Sequence, residues 1–122
     1  MILVDTSVWI DHLRKGVPAL AEALERGDVT THPFIIGELA CGSLKDRRQL
    51  LDLLAALPSA VVAADDETLL FIEERRLMGK GIGYLDAHLL ASTALTAYTR
   101  LWTRDKRLAA VAIDLRLAAP VA

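Results

Sequence analysis

Four carboxylates stand where a surface charge is not needed. Asp5 ends the apolar run Met1–Val4 and is followed by two hydroxyl residues, Thr6 and Ser7. Glu38 is the only charge between His32 and Lys45, inside the apolar segment Phe34–Ala40. Asp86 follows a break made by Gly79, Gly81 and Gly83 and opens a stretch without Lys, Arg, Asp or Glu from Ala87 to Thr99. Asp105 comes just after the apolar run at Leu101 and Trp102, with Thr103 between. Taken singly, Asp86 and Asp105 read as helix N-caps and Glu38 as either an exposed face or a site. Asp5 leans towards function, because a buried strand end seldom needs an acid. In one pocket the four would repel unless a cation stood among them. Mg²⁺ or Mn²⁺ suits such all-oxygen ligands, and two ions about 4 Å apart can clamp the oxygens of a phosphodiester displacement.

The elements that must position these acids can be read from the apolar spacing. Short strands are expected at Met1–Val4, Asp28–Thr31, Ala60–Ala63 and Leu101–Thr103, with an edge strand over Ile113–Leu117. Helices are expected over Val8–Arg14, capped by Thr6 or Ser7, and over Ala19–Arg26, opened by Pro18 and closed by Gly27. A helix with Pro33 in its first turn follows, capped by Thr31, and then Leu44–Leu57, whose leucines predict two buried sides. Asp65 and Asp66 cap a helix to about Met78, Leu85–Ala97 is a central buried helix, and Lys106–Ala112 is the last. Strands alternating with helices predict a single three-layer α/β/α domain over residues 1–122, with a central, mostly parallel sheet of four to five strands. In such a sheet the strand ends and helix N-termini share one edge, which is where Asp5, Asp86 and Asp105 would meet.

Composition excludes several classes. The chain is 53% hydrophobic and 25% charged with a net charge of −2, so it is neither disordered nor a globally basic nucleic-acid binder. Any polyanion must be met by local cations such as Arg104, Lys106 and Arg107, or by bound metal. Cys41 is the one cysteine, which rules out an internal disulfide and reads as a small buried hydrophobe. His12, His32 and His88 lack metal-ligand spacing, and His88 faces a different side of its helix from Asp86. Trp9 and Trp102 read as core. No run is long enough to span a bilayer and the N-terminus lacks a basic leader, so the expectation is a cytoplasmic protein.

Four segments resemble the PIN domain, and within it the VapC toxins, the ribonuclease halves of type II toxin–antitoxin pairs. They are VDTSVWID at Val4–Asp11, IIGELACG at Ile35–Gly42, GIGYLDAHLLASTA at Gly81–Ala94 and LWTRDKRL at Leu101–Leu108. The resemblance covers essentially the whole chain, in order and spacing. It implies an α/β/α nuclease whose acidic site corresponds to Asp5, Glu38, Asp86 and Asp105, with Mg²⁺ or Mn²⁺ activating water against RNA. On that basis Asp5 and Asp86 are the main metal ligands, and Glu38 and Asp105 complete the site and orient water. Thr6, Ser7 and Thr103 match the family's hydroxyl positions and would hold the acids. The resemblance also implies a homodimer, and a hetero-oligomer with a small antitoxin that covers an apolar groove near Leu50–Leu57. Leu108 stands where an aromatic is common, and the tail after Asp114 carries no family signal.

Two other readings use the same acids. A receiver-type phosphoacceptor module would need an acidic pair after the first strand, where only Asp5 stands, and would take Asp65 as acceptor. A catalytically inactive PIN-like binding domain would keep the fold without using the acids, all of which are present.

Overall fold

Ile2–Val4 forms β1, the middle strand of a parallel sheet in the computed structural model, which describes residues 1–121. The final position of the domain expected over 1–122 lies outside the described residues. β2 (Val29–Thr30) and β3 (Arg100–Trp102) flank β1 in the order β2-β1-β3, both parallel to it. Ile2 sits opposite Val29 and Arg100, Leu3 opposite Thr30 and Leu101, and Val4 opposite Trp102. A central parallel strand is covered on both faces, and Leu3 and Val4 are wholly buried. All three strands end at the same edge, so Asp5, Thr31 and Thr103 leave the sheet there.

Seven helices fill the rest of the described chain: α1 (Thr6–Lys15), α2 (Pro18–Glu25), α3 (Pro33–Ala40), α4 (Arg47–Ala56), α5 (Asp65–Arg75), α6 (Tyr84–Leu95) and α7 (Lys106–Asp114). α6 is the expected central helix, buried without a break from Ala87 to Thr93 and packed on β3 and α5. Trp9 and Trp102 lie in the core with Leu20, Ile35, Leu39, Leu54, Leu89 and Leu90. Each such leucine contributes about 1.5–3 kcal/mol by its burial.

The α/β class and the parallel sheet match expectation, but the sheet has three strands among the described residues, not four or five. Ala60–Ala63 forms no strand, and only Ser59 bridges to Thr31. Beyond the bridge, the Val61 N–H donates to Thr96 Oγ1 at 2.9 Å and the Ala63 N–H to Ser92 Oγ at 3.0 Å. Hydroxyls of α6 and its C-cap thus satisfy a backbone that would otherwise need a ladder, and Val61 and Val62 face solvent. Ile113–Leu117 is not a strand either. α7 runs on to Asp114 because Leu108, Val111 and Ala112 fall on its buried stripe, and the chain then touches β3 at Ala118.

Several local expectations are corrected by capping and exposure. Asp5, not Thr6 or Ser7, occupies the N-cap position of α1. His32 replaces Thr31 as the cap of α3, its Nδ1 accepting the Phe34 N–H at 3.0 Å. Thr31 is tied up in the sheet-edge bridge, bonded to Pro58 and Ala60. Ala64 caps α5, with Asp65 and Asp66 inside its first turn, and left-handed Arg76 stops the helix short of Met78. α4 buries one side, through Leu50 and Leu54, while Leu53 is 45% exposed. Cys41 follows the last turn of α3 at the surface and is exposed.

Candidate active site

Asp5 is nearly buried, 7% exposed, at the point where β1 becomes α1. Its side chain makes no cap hydrogen bond, although its backbone carbonyl accepts from the N–H groups of Val8 and Trp9. The carboxylate is held from two other directions. Ser7 Oγ donates to Asp5 Oδ2 at 2.8 Å, and Thr103 Oγ1 donates to the same oxygen at 2.7 Å. Each hydroxyl also accepts a backbone N–H: Arg104 to Ser7 Oγ at 3.0 Å and Asp105 to Thr103 Oγ1 at 3.1 Å. Those backbone donors leave the hydroxyl protons pointing at Asp5. Oδ2 is thereby fixed, and Oδ1 carries no protein hydrogen bond among the described residues.

Arg104 Nη1 donates to Asp11 Oδ2 at 2.8 Å, tying the loop of Thr103 to α1. That guanidinium holds the Asp11 carboxyl below its usual range. Sequence reasoning did not foresee this pairing, since nothing local links the two positions.

Glu38 projects from α3 and Asp86 from the first turn of α6. Glu38 is solvent-exposed as a residue, yet its carboxyl is pushed up by partial desolvation and then by the charges of Asp5 and Asp86. Thr6 opposes that shift. Its Oγ1 is buried and has no hydrogen-bond partner among the described residues. Desolvation also pushes Asp86 up; a 3.4 Å bond from the Gly83 N–H works against this, and the charges of Asp5 and Asp105 add to it. Asp5 and Asp86 thus act on Glu38, and Asp5 and Asp105 on Asp86.

Asp105 is also the N-cap of α7, its Oδ1 accepting the Leu108 N–H at 3.0 Å. The capping reading therefore applies to it. Asp65 stands apart: its Oδ1 accepts from Tyr84 Oη at 3.1 Å and meets His88 Nε2 at 3.0 Å. Thr68 Oγ1 lies 3.0 Å from His88 Nδ1, so this histidine is structural, as expected. Asp65 is thus engaged by Tyr84 and His88.

A second buried contact links the helices that carry the acids. His32 Nε2 lies 3.0 Å from Ser92 Oγ, joining the start of α3 to the middle of α6. With Nδ1 accepting from Phe34, Nε2 is the protonated nitrogen and donates. Burial, and then the charge of His88, hold His32 down to about 4. This tie between the Glu38 and Asp86 helices had no signal in the sequence beyond an unassigned histidine.

No three His, Cys, Asp or Glu side chains among the described residues come together in an arrangement that could hold a metal ion. The donor chemistry nevertheless suits a hard divalent cation, which needs only one or two carboxylates with water and substrate oxygens. Asp5 offers a bare Oδ1 on an immobilised carboxylate, and the carboxyls of Glu38 and Asp86 are raised by partial burial first and by neighbouring acids after it.

The model of the PIN domain matches residues 2–114. Ribonuclease VapC32 of Mycobacterium tuberculosis, in strain CDC 1551 / Oshkosh and again in strain ATCC 25618 / H37Rv, is 52% identical over 114 residues. The match covers 93% of this chain and 92% of each relative.

Proposed function

The chain belongs to the PIN domain family, and we propose that it is a divalent-metal-dependent endoribonuclease acting as the toxin of a VapBC-type toxin–antitoxin pair. The observation that carries this reading is Asp5 at the end of β1. Two hydroxyls hold its carboxylate, its charge acts on Glu38 and Asp86, and that of Asp105 acts on Asp86. The naming of its relatives as ribonucleases supports RNA as the substrate.

Asp5 and Asp86 would hold the cation, Mg²⁺ or Mn²⁺, with Glu38 and Asp105 at its margin. When bound, the cation offsets the acids' charge and acts as a Lewis acid towards a phosphodiester. Ser7 and Thr103 keep Asp5 in one rotamer, so that its orientation costs nothing at the moment of reaction. Glu38 has the raised carboxyl suited to take the proton of the attacking water as the water's oxygen bonds to phosphorus and the leaving oxygen departs.

A groove of about 760 Å³ between α1, the 42–46 segment and α4 supports the antitoxin reading. Ile10, Leu13, Leu44, Leu50 and Leu53 line it, with Arg14 and Asp46 at its margins. Homodimerisation, a larger assembly with the antitoxin, a cytoplasmic site of action and a single domain complete the proposal. No described helix is long and apolar enough to cross a membrane.

The test is cleavage of a mixed cellular RNA pool by antitoxin-free protein with Mg²⁺ or Mn²⁺, then with EDTA, beside the Asp86→Asn variant. Discrete fragments that vanish with EDTA and with the variant are expected. If folded wild-type protein cuts nothing with either metal, the binding-only reading of the PIN fold takes its place.

A further inference from the structure

Three cations follow Thr103, and the structure treats them differently. Arg104 is committed to Asp11. Arg107 has no carboxylate within ion-pair distance among the described residues. Its side chain lies across the backbone of Gly81, in the segment between α5 and α6. A Cβ built on Gly81 would fall 2.8 Å from Arg107 Cδ and 3.1 Å from Nη1. Gly81 also has φ +80°, a left-handed conformation that disfavours any side chain. The glycine serves both the turn and the passage of the arginine.

This places a cation at one definite position. Gly81 belongs to the loop that delivers Asp86, and Arg107 to the first turn of the helix that Asp105 caps. The arginine therefore spans, at the rim, the two segments that carry two of the acids. A long side chain already laid down on a glycine loses less rotamer freedom when it binds. A planar guanidinium without a protein anion is a fork for phosphate oxygens. The chain's net charge is −2, so an RNA strand entering an acidic cluster needs such a local cation.

We propose that Arg107, lying over Gly81, contacts a backbone phosphate of the RNA strand next to the one that is cut. This inference rests on the nuclease reading above, and its test separates the two. Fluorescence anisotropy would follow binding of a labelled mixed-sequence RNA of about twelve nucleotides over a salt series, with Ca²⁺ present as an oxygen-seeking cation. Arg107→Gln is expected to weaken binding about fivefold at ~0.1 M salt and to lower the salt slope by about 0.7, as for one lost phosphate contact. Arg107→Lys keeps the charge and most of the slope. In cleavage assays Arg107→Gln raises KM and leaves kcat within about twofold, the pattern of lost uniform binding.

Gly81→Ala, where it folds, should weaken binding in the wild-type background and add nothing to Arg107→Gln. Unchanged affinity and slope in a folded Arg107→Gln protein, with wild type binding and cutting RNA, would overturn the subsite and leave the nuclease standing. Loss of cation binding in Arg107→Gln, with RNA affinity intact, would overturn it as well by making the arginine a support for the position of the acids and not a phosphate contact. If wild type neither binds nor cuts RNA, the nuclease reading fails and the subsite fails with it.

Discussion

Thr103 Oγ1 lies 2.7 Å from Asp5 Oδ2, though 98 positions separate the two residues. The parallel pairing of β1 with β3, with Val4 opposite Trp102, sets both residues at one sheet edge. The first acid of the site is thus oriented by the last core strand.

Removing that hydroxyl while keeping its shape, in Thr103→Val, is expected to lower RNA cleavage about 10- to 100-fold and to weaken metal binding. It also removes the acceptor of the Asp105 N–H, which is exposed, so water takes its place and little stability is lost. Cleavage rates, metal titration calorimetry and thermal melts on one preparation separate the two effects. Full activity in Thr103→Val would show that Asp5 needs no such support.

The acids trade stability for function. Folded-state carboxyls pushed up at Glu38 and Asp86 mean that their contribution to stability is present below the ordinary carboxylate range and is lost as pH rises through the raised values. Glu38→Gln and Asp86→Asn should therefore each raise the Tm of metal-free protein near neutral pH while cutting activity by about 10²-fold or more. A fall in Tm for both variants would contradict the electrostatic account.

His32 has the opposite pH dependence. Held down to about 4 in the fold against 6.5 ordinarily, it lets the unfolded chain take up the proton first. Its contribution is whole above about pH 6.5 and drains away towards pH 4, by about 2–3 kcal/mol. The difference between wild type and His32→Asn, from denaturant unfolding across that window, should show this slope. Ser92→Ala gives a second reading, because it strips the partner from both His32 Nε2 and the Ala63 N–H. A flat difference curve with both variants would mean that His32 is not held neutral.

Metal should act on the fold as well as on the chemistry. A cation at about 100 times its Kd adds about 2.7 kcal/mol of stability. Mg²⁺ or Mn²⁺ should thus raise the Tm of wild type, and Asp5→Asn should abolish the rise. An equal rise in that variant would move the metal away from Asp5.

Much of this protein is legible along the chain. A carboxylate in an apolar context stands out whatever the fold, which is why Asp5, Glu38, Asp86 and Asp105 could be gathered before any coordinates. The alternation of strand and helix patterns specified the parallel sheet, and with it the common edge where strand ends and helix starts meet. Ala60–Ala63 looked like a strand because its composition suits one. Whether such a segment pairs depends on what its N–H groups meet, and here Ser92 and Thr96 meet two of them first.

The arrangements left to the tertiary structure share one physical character. His32 against Ser92, Arg104 against Asp11 and Arg107 over Gly81 each join positions far apart in the chain. Apolar periodicity records how a segment faces the core, over a few residues at a time. Which polar atom then finds which partner depends on strand register and helix packing to within an ångström, and only the assembled fold sets those.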